Sequence, residues 1–97
     1  MMERVDAVEK IIEHLSNLNK IKKCATDSIR DCDFVSSIDC IHKFHTATGA
    51  VSAAIIMFRG VLDDEEIVRY HTTLNKISEE FRAETIEMAK KCRCFTD

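Results

Sequence analysis

Along the first third of the chain, apolar residues recur at steps of three and four: Val8, Ile11/Ile12, Leu15, Leu18, Ile21, Ala25, Ile29 and Cys32. That spacing lines one face of a helix. It predicts a first helix over about residues 3–31, with Glu3, Asp6 and Glu9 at the positive end of its dipole. Ser16 to Asn19, S-N-L-N, is the weakest helical stretch, and the pattern on both sides of it favours one continuous helix. A second pattern, Ile38, Ile41, Phe44/His45, Thr48, Val51, Ile55 and Phe58, predicts a helix over about residues 35–59, with Ser36 or Ser37 as its cap and Asp39 following. A second apolar edge on this helix, Ala47, Ala50, Ala54, Met57 and Val61, makes it greasy on two sides. Gly60 reads as its left-handed terminus. Asp63 with Glu66 three later is a capping box that opens a third helix over about residues 63–92. There Ile67, Leu74, Phe81, Met88 and Phe95 recur every seven residues, flanked by Tyr70, His71, Ile77 and Cys92, which suits shallow-angle packing.

Two short connections between three long helices imply an all-α fold, an antiparallel up-down-up three-helix bundle in a single domain over residues 1–97, with 93–97 a frayed tail. Three helices of this size cannot cover a helix that is apolar on two sides. The expectation is therefore a homodimer, the bundle completed to a larger one by self-association through the second helix. Phe44, Ala47, Ala50, Val51, Ala54 and Met57 are the expected interface, where Gly49, Ala50, Ala53 and Ala54 permit close helix approach.

Composition strengthens the helical reading, because the 97 residues include no proline and only two glycines. A net charge of -3 gives no broad basic face for displacing counterions, so nucleic acid is not an expected partner. The start, M-M-E-R-V-D, lacks the features of a secretion signal, which points to a cytoplasmic protein. The longest apolar run, Ala50 to Phe58, broken only by Ser52, is far shorter than the roughly 20 residues of a membrane span. Acidic residues gather at one end of the bundle and Lys20, Lys22, Lys23, Arg30, Lys90, Lys91 and Arg93 at the other, as dipole compensation requires.

Five cysteines, an odd number, argue against a closed disulfide framework, and most of them are expected to be reduced, core-type thiols. Rise per residue places Cys24, Cys40 and His42 at about the same height, near roughly 30 Å along the bundle. These three, with Cys92 and Cys94 at the end of the chain, are the candidate ligands for a soft metal, or the candidate thiols of a redox sensor. His45-Thr46-Ala47-Thr48-Gly49-Ala50 resembles the phosphate-accepting segment of histidine phosphotransfer domains, helical bundles in which an exposed histidine is followed by lysine at the third position and glycine at the fourth. The resemblance implies a phosphoacceptor role for His45, with Gly49 clearing space for the partner; Thr48 stands where that family has its lysine. No nucleophile elbow, phosphate-binding glycine loop, H-E-x-x-H motif or dinucleotide fingerprint is present, so neither catalysis nor a bound cofactor is expected. The leading expectation is a protein-interaction module or regulator that acts by binding a protein partner.

Overall fold

The protein is described by a computed structural model covering residues 3–92. Three helices follow one another, α1 (Arg4–Arg30), α2 (Phe34–Met57) and α3 (Asp64–Lys91), and pack as an all-α three-helix bundle. The expectations for Cys94, Phe95 and the tail 93–97 lie outside the described residues. The molecule is a rod with principal extents of 53 × 20 × 15 Å.

α1 is continuous through Ser16–Asn19. It buries Ala7, Ile11, Leu15, Leu18, Ala25 and Ile29, while Ile12 faces solvent. Its end is a Schellman motif. The Asp33 N–H donates to the Ser28 carbonyl at 2.9 Å and the Cys32 N–H to the Ile29 carbonyl at 3.1 Å, the bonding that satisfies carbonyls left without helical partners. The left-handed residue this motif requires is Cys32, with φ of 59°, where glycine would carry no Cβ penalty. Gly60, by contrast, is not left-handed. α2 stops at Met57, and the chain reverses through a turn closed by the Val61 N–H on the Phe58 carbonyl at 3.0 Å, a geometry that needs no positive φ. The cap of α2 likewise differs from the one the sequence suggests. Asp33 caps it, accepting from the Ser36 N–H at 3.1 Å, and Ser37 is instead a buried residue whose hydroxyl donates to the Asp33 carbonyl at 2.7 Å.

The core runs the length of the rod, with Phe44, Ile11, Leu18, Ile55 and Val51 its largest fully buried side chains. α1 packs much more extensively on α2 than on α3, and α2 and α3 touch each other least. Where α2 and α3 do meet, the rings of Phe44 and Phe81 stack nearly parallel with centroids 3.7 Å apart. Lys22, on α1, reaches Glu80 at 3.2 Å and Glu84 at 3.4 Å on α3.

At the other end, α3 opens on the Asp63–Glu66 capping box, and the Glu66 carboxylate is shared with α1. Arg4 donates to it through Nε at 2.9 Å and Nη2 at 2.7 Å, while the Asp63 N–H donates to Oε1 at 3.2 Å. Arg4 keeps a side-chain exposure of 59%, so the pair lies at the tip of the rod and water screens it. The Arg4 bonds and then the Asp63 N–H hold Glu66 below the ordinary carboxylate range. A carboxylate with a depressed folded pKa stabilises the native state above its unfolded pKa and loses that contribution as pH falls through the folded value. Glu66→Gln is therefore expected to unfold at lower urea than the wild type at neutral pH. The gap should narrow on acidification from about pH 4, where the unfolded carboxyl begins to protonate, and close once the folded carboxyl has protonated as well; urea titrations at stepped pH measure it.

Candidate interaction surface

The buried arc of α2 carries Ser37, Cys40, Phe44, Val51, Ala54 and Ile55. Its opposite arc presents a second stripe: Ile38, His42, His45, Gly49, Ser52 and Ile56, at alternating steps of four and three. All are exposed except Ser52, which is half-buried. Val35 and Met57 flank the stripe and are 77% and 75% exposed; Ile38 and Ile56 are 53% and 65% exposed. Charge is sparse here. Within α2 the only ionic side chains are Asp39 and Lys43, which pair with each other at 2.8 Å. A surface apolar at both ends and depleted of charge has the composition of an interface core rather than of ordinary solvated helix.

Gly49 adds a separate observation. A Cβ built on it meets nothing within 4 Å. Glycine in mid-helix costs about 1 kcal/mol relative to alanine, and no packing among the described residues requires it there.

Of the residues expected at the interface, the structure divides two groups. Phe44, Val51 and Ala54 lie in the core and Ala47 is half-buried, whereas Ala50 and Met57 are exposed. Ile38, Ile56, Val35 and Ala53 belong to the exposed flank, and the sequence pattern assigned Ile38 to the inner stripe. The signal that would have separated them is the heptad stripe 38-42-45-49-52-56, which contains two histidines, a glycine and a serine and so does not register as apolar.

His45 is exposed, its ring edge-on to Phe44 and to Phe81 with centroids 6.1 Å away in each case. It stands at the lip of a groove between α2 and α3 that includes Ile41, Thr48, Glu79 and Arg82. Thr48 donates its hydroxyl to the His45 carbonyl at 2.7 Å, back-bonding to its own helix. Among the candidate metal ligands, Cys24 and Cys40 come together with Sγ atoms 2.9 Å apart. His42 does not join them, and among the described residues no three His, Cys, Asp or Glu side chains converge as a metal site. Cys92 approaches the Arg30 carbonyl at 3.8 Å. Cys32 is disulfide-bonded, an exception to the expectation that most of the cysteines are reduced, while Cys24, Cys40 and Cys92 are free.

No family model matches the chain, and neither a curated protein nor a solved structure matches it. Among the described residues no helix is long and apolar enough to cross a membrane.

Proposed function

We propose that this protein is a binding module that acts as a homodimer, its two copies joined through the exposed flank of α2. The observation that carries this reading is the self-complementarity of the stripe. Laid antiparallel on a second copy about a two-fold axis between His45 and Gly49, Ile38 meets Ile56 at both ends, His45 lies over Gly49, and His42 lies over Ser52. Large side chains face small ones in every inner layer, and each contact occurs twice, as an isologous interface requires. Pairing of this kind satisfies the alternating heptad spacing of packed helices. It also supplies a reason for a glycine that no contact among the described residues explains.

Sedimentation equilibrium over a wide concentration range tests the reading. The wild type is expected to sediment as a dimer, and Ala53→Glu with Ile56→Glu, both at exposed positions, as a folded monomer with unchanged helical circular dichroism. A wild type that stays monomeric at every concentration removes the proposal.

A further inference from the structure

Cys24 on α1 and Cys40 on α2 face each other across the most extensive helix contact in the molecule, with Sγ atoms 2.9 Å apart. A disulfide needs an approach to about 2.05 Å, so less than an ångström separates two thiols from a covalent bond. The elements carrying them are held in register by the Schellman turn at Cys32 and the Asp33 cap, so the pair is positioned by helices rather than by loops.

The two sulfurs differ in access. Cys24 is exposed, in a shallow surface depression with Lys20, Lys23, Asp27, Asp31 and Asp33, whereas Cys40 is 5% exposed. Burial, and then the neighbouring Cys24 thiol, push the Cys40 thiol up, with Ser28 acting the other way. A reagent from solution reaches Cys24, and Cys40 reaches only what is already attached to Cys24. Ammonium and carboxylate groups around the depression complement a small peptide disulfide that itself carries both charges.

We infer that Cys24 and Cys40 form a thiol–disulfide exchange site for low-molecular-weight peptide disulfides, with Cys24 the entry thiol and Cys40 the resolving thiol. In the first step the Cys24 thiolate attacks one sulfur of R–S–S–R. A Cys24–S–S–R bond forms, the R–S–S–R bond breaks, and RS⁻ leaves and takes up the proton that Cys24 lost. In the second step Cys40, once deprotonated, attacks the Cys24 Sγ. The Sγ–Sγ bond forms, a second RS⁻ leaves, and it collects the Cys40 proton. The two cysteines are oxidised by two electrons, one peptide disulfide is reduced to two thiols, and the protein loses two hydrogens. The product ties α1 to α2. Cys92, whose Sγ lies 3.8 Å from the Arg30 carbonyl, is not part of this pair.

The full chain, purified without reductant so that the Cys32 bond is retained, is incubated with oxidised glutathione, acid-quenched, alkylated and cleaved before aspartate. Asp27, Asp31, Asp33 and Asp39 then place Cys24, Cys32 and Cys40 on separate peptides. The expected result is a Cys24–Cys40 cross-linked peptide in the wild type, reversed by dithiothreitol. Cys40→Ser is expected to halt at a glutathione adduct on Cys24, and Cys24→Ser to leave Cys40 unmodified. Circular dichroism confirms that both variants are folded, and the wild-type result decides the matter if either is not. Wild type that accumulates the Cys24 adduct while Cys40 remains alkylatable, or in which neither thiol reacts, overturns the inference.

Discussion

Phe44→Ala is expected to lower the unfolding free energy by about 3–5 kcal/mol, the range for deleting a buried aromatic ring. The side chain is 1% exposed, and its stacking on Phe81 is a main bond between α2 and α3, the pair of helices that otherwise touch least. Because a domain of this kind is stable by only about 5–15 kcal/mol, the loss is a large share of the total. It should lower Tm by at least about 12 °C. The cavity cannot be filled from α1, whose own residues are already committed to the core, so the expected failure is release of α3 before α1 and α2 separate. Urea titration read by circular dichroism measures the loss. Hydrogen exchange should show α3 amides losing protection first. Phe44→Leu should recover part of the loss, because it refills the cavity without the ring stack. A destabilisation under about 1 kcal/mol for Phe44→Ala would mean the stack contributes little beyond surface burial.

Val51→Asp and Ala50→Asp, one residue apart on α2, should differ widely in stability. Val51 is fully buried and Ala50 exposed. An unpaired carboxylate at position 51 must either ionise without water or take up a proton, and the expected cost exceeds about 4 kcal/mol, enough to leave much of the chain unfolded. At position 50 the same side chain is solvated and the monomer loses only the helix-propensity difference, about 0.7 kcal/mol at most. Thermal melts of the two variants side by side measure the contrast. Equal losses would show that the two flanks of α2 are not divided as the buried and exposed arcs indicate.

Much of this architecture is legible in local spacing. The seven-residue recurrence of Leu74 and Phe81, the three-and-four pattern of Ile11, Leu15 and Leu18, and the Asp63–Glu66 cap each involve residues within a turn or two of one another. Their chemistry therefore specifies helix, face and start without reference to the rest of the chain. The turn residues were less legible. A glycine at position 60 advertises a left-handed conformation that the chain does not use there, while Cys32 adopts one because the Schellman bonds to Ser28 and Ile29 demand it.

The amino-acid order alone determined that three long helices would form, that breaks would fall near residues 31–33 and 58–63, and that α2 would be apolar on more than one side. Tertiary structure decided which side of α2 is covered, that Glu66 holds Arg4 as well as its own cap, and that Cys24 meets Cys40. The reason is sequence distance. Helix periodicity is set by neighbours three and four residues away, whereas Arg4–Glu66 and Phe44–Phe81 join residues tens of positions apart, and only packing of whole helices selects one azimuth for each.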